Sequence, residues 1–113
     1  MIHQLRIYEI FEKNKEAFHK RFRDHASRIM KSYGFNIVAT WEATNGSRTE
    51  FLYLLAWPDE KTMQHAWEQF RANAEWLQIK RDTNAKYGDL VGEIQDRTLR
   101  PVNQEMFVLR AKA

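Results

Sequence analysis

A chain of 113 residues, 43% hydrophobic and 13% aromatic, is large enough to fold around one core as a single domain spanning residues 1–113. The absence of cysteine excludes disulfides, thiolate zinc sites and cysteine nucleophiles together. Eighteen basic against fifteen acidic side chains leave a formal charge of +3, too small an excess to argue for nucleic acid without a concentrated basic patch.

Met1 is followed at once by IHQLRIYEI, with no long apolar stretch of the signal-peptide kind, so the expected compartment is the cytoplasm. Ile2 to Ile10 is rich in β-branched and aromatic residues and reads as a strand. It places Arg6 and Tyr8 on one face and Leu5 and Ile7 on the other. Asn14 is the expected N-cap of a helix running to about Tyr33, with Phe18, Phe22, His25, Ala26, Ile29, Met30 and Tyr33 at helical spacing. Gly34 stands where a left-handed C-terminal cap is wanted.

Phe35 to Thr44 reads as a second strand, turning at Asn45-Gly46, a strong hairpin signal. A two-residue turn sets Thr44 opposite Ser47, Ala39 opposite Leu52 and Val38 opposite Tyr53. One face then collects Phe35, Ile37, Ala39, Trp41, Leu52, Leu54 and Ala56, and is expected to lie under the helices. The other collects Val38, Thr40, Glu42, Phe51, Tyr53, Leu55 and Trp57. A longer loop exchanges these assignments, because a one-residue slip flips every side chain. The unbroken apolar run Phe51 to Trp57, halted by Pro58 and Asp59, is too short to span a bilayer and fits a strand buried on both faces.

Asp59 can cap a second helix starting near Glu60, whose pattern falters around Asn73 and resumes from Glu75 to about Tyr87. A last strand falls between Leu90 and Arg100, and Met106 to Leu109 can add at a sheet edge. The order strand, helix, strand, strand, helix, strand gives an α+β ferredoxin-like βαββαβ sandwich: an antiparallel sheet with helices on one face. The face carrying Phe51, Tyr53, Leu55 and Trp57 is then left bare. Its apolar area exceeds what a soluble monomer exposes, so a second copy of the chain is the expected cover and those four residues the expected dimer interface.

The segments FLYLLAWPDE, AWEQF, EWLQIK, GDLV and RTLRP, with QLRIYEI at the start, resemble the bacterial branch of the NIPSNAP family. The resemblance covers nearly the whole chain and rests on combined spacing, with Leu5, Arg6 and Tyr8 at the family's usual positions in its opening strand. It implies a dimeric α+β barrel, in which two ferredoxin-like sheets pack face to face with the helices outside. This chain departs from the family pattern at Asn73-Ala74, where many members have Asp-Pro, and at Gly88-Asp89-Leu90, usually Gly-Pro-Leu. It also has Tyr53 where remote members carry histidine, so no histidine role is carried over. The family supplies no agreed catalytic residues.

Candidate chemistry is therefore read from the residues. Arg6 and Tyr8 share a strand face that Tyr53 or Glu42 can join, and a guanidinium beside phenols can orient a small anionic or phenolic ligand. The bland alternative is an ion pair, Arg6 with Glu42 or with a partner's carboxylate. His25 lies on the apolar stripe of the first helix, where a buried, hydrogen-bonded histidine is the ordinary reading and a ligand or base the sharper one. His19 and His25 are six apart and share no helix face, so no metal site is expected, and no cofactor. Trp41 and Trp57 sit near strand ends, where they can line an opening, and Trp67 faces inward from the second helix. No nucleophile elbow, P-loop or dinucleotide fingerprint is present. The ligand-binding candidates are thus Arg6, Tyr8, His25, Trp41, Tyr53, Trp57 and Trp67. The expected function is that of a homodimeric small-ligand-binding or scaffolding protein, with itself and a small molecule as partners and neither nucleic acid nor membrane. The alternative is a cofactor-independent oxygenase-like or isomerase-like enzyme acting on a small substrate, aromatic ones included, in the pocket between sheet and helices.

Overall fold

In the computed structural model, which describes residues 1–103, the chain runs β1 (Ile2–Ile10), α1 (Lys15–Arg21), α2 (Ser27–Ser32), β2 (Asn36–Asn45), β3 (Arg48–Trp57), α3 (Glu60–Ala72), α4 (Ala74–Tyr87) and β4 (Val91–Leu99). The four strands form one antiparallel sheet in the order β2-β3-β1-β4, the ferredoxin-like α+β arrangement. The expected edge segment Met106 to Leu109 lies outside the described residues. Among the described residues no helix is long and apolar enough to cross a membrane.

Element ends follow local chemistry. The Asp59 carboxylate accepts from the Thr62 backbone N–H at 2.7 Å and starts α3. Asn73 ends α3 in an extended conformation, and its side-chain oxygen accepts from Trp76 N–H at 2.8 Å, so one residue stops a helix and caps the next. Asn14 does not act as the expected cap: a 3-10 turn, Glu12–Asn14, precedes α1, and the Asn14 amide donates to the Tyr87 carbonyl instead. The rod from Lys15 to Ser32 contains a π-helical turn, Phe22–Ala26, a widening that interrupts the regular side-chain spacing.

The hairpin departs from expectation in two ways. Its loop is Gly46-Ser47, with Asn45 facing Arg48, Thr44 facing Thr49 and Ala39 facing Leu54. This even shift along β3 leaves every side chain on the face first assigned to it. A register shift between Ile37 and Ala39 then inserts an extra residue into β2, which turns Ile37 and Phe35 to the opposite face. Phe35 accordingly packs edge-on against Trp57 and Trp67, with centroids 4.9 and 4.8 Å apart.

The larger correction concerns which face the helices cover. Phe51, Tyr53, Leu55 and Trp57, the expected dimer interface, are 5%, 0%, 0% and 1% exposed and belong to the core under the helices. Phe22 lies 4.8 Å from Phe51 and 5.1 Å from Tyr53, centroid to centroid. Alternation along a strand separates two faces without saying which is inward; the handedness of the crossovers and the interlocking of the aromatic side chains decide it. Leu5, Ile7, Leu52, Leu54 and Ala56 lie across from one another on the opposite face, with Ala39 and Trp41 beside them. Among the described residues no helix lies over that face.

Candidate functional site

A cavity of ≈ 250 Å³ lies between the sheet and the helical layer. Its floor is Arg6 and Tyr8 of β1 with Val91 and Ile94 of β4, and its roof comes from Phe18, Arg21, Phe22, Ala26 and Met30. Trp67, Phe70 and Arg71 of α3 and Trp76 and Lys80 of α4 close the remaining side. The π-helical turn contributes both Phe22 and Ala26, so the widened part of the first helix is the part that borders the cavity.

A buried polar network underlies the floor. The Gln4 Oε1 accepts from both the Trp57 and Trp67 indole N–H groups, at 3.0 and 2.8 Å, and its Nε2 donates to Asp96 Oδ2 at 2.7 Å. Gln4 is 3% exposed, so this one amide orients two tryptophans and a carboxylate. The same Asp96 oxygen accepts from Arg6 Nη1 at 2.8 Å. The Arg6 guanidinium lies 4.4 Å from the Trp67 ring centroid and 5.3 Å from that of Tyr8. Burial works against its charge, but Tyr8, Tyr53 and the bonds to Tyr8 and Asp96 outweigh burial and hold it above its ordinary value. Its Nε is buried without a hydrogen-bond partner among the described residues.

The Tyr8 hydroxyl accepts from Arg6 Nη2 at 3.2 Å and lies 2.5 Å from the Tyr53 hydroxyl. Burial, then Tyr8, pushes the Tyr53 phenol well above its usual range, against the pull of Arg6. Tyr53 therefore stays protonated, and either hydroxyl of the Tyr8–Tyr53 pair can be the donor of the bond between them. Where Tyr53 is the donor, Arg6 and Tyr53 occupy both lone pairs of Tyr8 and leave its proton for the cavity.

Arg21 enters the cavity from the opposite side. It is 8% exposed, its Nη1 donates to Thr83 Oγ1 at 2.8 Å, and its guanidinium lies 5.4 Å from the Trp76 ring centroid. Burial pulls it below its ordinary value, with only Tyr8 acting in the other direction.

Of the residues expected to bind a ligand, the structure brings Arg6, Tyr8 and Trp67 to the cavity, with Tyr53 bonded to Tyr8 behind the wall. Trp57 does not line the cavity and is tied to it through Gln4. His25 lies on the outer helix surface, half-buried, its Nδ1 3.5 Å from an Arg28 that is paired with Glu75. Trp41 is 48% exposed on the open sheet face, opposite Leu52. The expected ion pair of Arg6 with Glu42 is replaced by Arg6 with Asp96, and Glu42 binds Lys15 and His19. Gln4, Arg21, Trp76 and Asp96 were not expected here. For Arg21 a signal existed: it follows Phe18 by three positions and so lies on the apolar stripe, a costly place for a cation unless it has a use.

The NIPSNAP family model matches residues 3–104. Among solved structures, a NIPSNAP family protein from Agrobacterium tumefaciens superimposes with a TM-score of 0.79 at 19% identity, over 97% of this chain and 94% of its own. A NIPSNAP-like domain protein from Burkholderia xenovorans gives 0.78 at 17% identity, over 98% and 90%. An antibiotic biosynthesis monooxygenase gives 0.59 at 11% identity, over 91% and 100%. At these identities the likeness is one of fold. No curated protein matches the chain.

Proposed function

This chain belongs to the NIPSNAP family, and from that premise we propose that it is a homodimeric small-molecule-binding protein whose ligand sits in the cavity between sheet and helices. The observation that carries the reading is the cavity itself: apolar and aromatic walls, with Arg6, Tyr8 and Arg21 presented to one volume. Binding sites combine apolar surface with a few convergent polar groups in this way. Native mass spectrometry of the protein from its producing cells tests it. A small molecule at one per chain, lost when Ala26→Phe fills the cavity, supports the reading; a bare chain mass and unchanged behaviour of the filled variant oppose it.

The homodimer is built on the open sheet face, through the half-buried Leu5, Ile7 and Leu52, rather than through the aromatic face. A continuous aliphatic surface of this kind is what an isologous contact uses. Light scattering reads it directly, a mass of two chains being expected. A cytoplasmic location belongs to the same reading and is checked by cell fractionation.

One observation favours a second reading, a cofactor-independent oxygenase-like or isomerase-like enzyme. Arg6 donates to the Tyr8 hydroxyl, and with Tyr53 as a second donor the Tyr8 proton can be offered to a carbonyl or phenolic oxygen of the ligand. A substrate turned over by the parent and merely bound by Tyr8→Phe would support catalysis; binding with no turnover in either keeps the protein a binder.

A further inference from the structure

Arg6 and Arg21 are equally buried, at 8% exposure each, but they are not equally compensated. Arg6 has Asp96 at 2.8 Å. Among the described residues Arg21 has no carboxylate within salt-bridge distance; its polar partner is the neutral hydroxyl of Thr83. A buried charge without a counter-charge is costly, and a fold keeps one where something supplies the missing charge. The cavity lining adds Arg71 and Lys80, both exposed at its mouth, and contains no aspartate or glutamate.

Resting on the reading of this cavity as the ligand site, we infer that its ligand is an amphipathic monoanion, a carboxylate bonded to Arg21 with an apolar body among Phe22, Met30, Phe70 and Ile94. The charge count follows from the two buried guanidiniums: Asp96 neutralises one, so a single negative charge remains to be supplied. A phosphate dianion would bring a second charge for which no buried cation is free. Arg71 and Lys80 are hydrated and need no counter-ion, but they make the entrance attractive to anions. The planar fork of Arg21, with Nη1 held by Thr83 and its face against Trp76, keeps further donors for a carboxylate. Size agrees as well. A cavity of about 150 Å³ accommodates benzene, so ≈ 250 Å³ has room for one ring with a short acidic arm.

The test titrates the native protein with phenylacetate, its neutral isostere phenylacetamide and phenyl phosphate, following tryptophan fluorescence, because Trp67 and Trp76 both border the cavity. Phenylacetate is expected to bind about tenfold or more tighter than the amide, the scale of one charge-assisted hydrogen bond. In Arg21→Met the two should bind within about twofold of each other, while the ligand-free melting temperature stays level or rises, because an uncompensated buried charge has gone. Arg28→Gln, on the outer helix surface, should keep the preference for the acid. Equal binding of acid and amide by the parent overturns the inference and leaves the cavity as a ligand site. Tightest binding of phenyl phosphate overturns the single charge. So does an Arg21→Met protein that melts lower and still prefers the acid. If no probe binds while native mass spectrometry shows a resident molecule, the carboxylate assignment alone fails; if none binds and the chain is bare, both readings fail.

Discussion

Strand β3 presents two apolar faces that differ in kind. Under the helices, Phe51, Tyr53 and Trp57 sit among rings from α1, the π-helical turn and α3, and polar atoms are threaded between them: Gln4, Arg6, Tyr8 and Asp96. On the other side, Leu52, Leu54 and Ala56 meet Leu5, Ile7 and Ala39, small or aliphatic side chains, with the buried His3 opposite Ala56 at one end. The comparison teaches what burial alone does not. A face that must hold polar groups in fixed positions uses aromatics and amides, whose hydrogen bonds have direction. The face proposed to meet a copy of itself can rely on aliphatic shape, because the hydrophobic effect is non-directional.

The contrast is broken most severely at Trp67. Trp67→Ala removes a 5%-exposed indole, leaves a cavity beside Phe35 and uncovers the Arg6 guanidinium; a loss of about 3–5 kcal/mol in chemical denaturation is expected. Gln4→Leu comes next. It preserves bulk but strands two indole N–H groups, at roughly 1–3 kcal/mol for each buried donor left unpaired. A stability close to that of the parent would show that the network is dispensable. On the open face, Leu52→Glu should act on assembly: light scattering should fall to the mass of one chain, whereas Glu60→Lys at the start of α3 leaves the dimer intact. Unfolding of the dissociated Leu52→Glu chain should then differ little from that of the parent brought to the monomer by dilution. If that substitution instead unfolds the monomer, the two faces are not divided between core and contact as described.

The smallest effect concerns the sheet's outer corner. Bonds from His19 and then Lys15 hold the Glu42 carboxyl below its ordinary value of 4.5. A depressed carboxylate contributes stability above its unfolded pKa and loses it as pH falls through the folded one, so the decline belongs below about pH 4.5. The group is well solvated and the contribution is small. Melting curves of the parent and Glu42→Gln should converge on acidification in that window; a difference that persists unchanged to low pH would assign the effect to packing.

Much of this architecture is legible one segment at a time. Pro58-Asp59 stops an apolar strand and starts a helix; Asn73 interrupts the pattern of α3 and caps α4; Gly34 ends the first helix with φ at 90°. These are short-range matters of caps, turns and periodicity, and the order of elements they produce leads to the ferredoxin-like topology. The pairing of Arg6, Tyr8 and Tyr53 was legible too, because residues across a strand pair share a face.

What the tertiary structure alone decided is everything that depends on sign or on distant groups. Period-two alternation divides β3 into two faces but is blind to which one the helices cover; the crossovers and the packing of the aromatic side chains put the aromatic face inside, and the bulge in β2 adds Phe35 and Ile37 to it. That Arg21 meets no carboxylate among the described residues is likewise invisible along the chain. Being without a counter-charge is a statement about where every acidic residue ends up, and Asp96 goes to Arg6, Glu42 to Lys15 and His19, and Glu75 to Arg28. Local sequence determines how each segment folds; electrostatic pairing in the interior is settled by the three-dimensional packing of segments far apart in the chain.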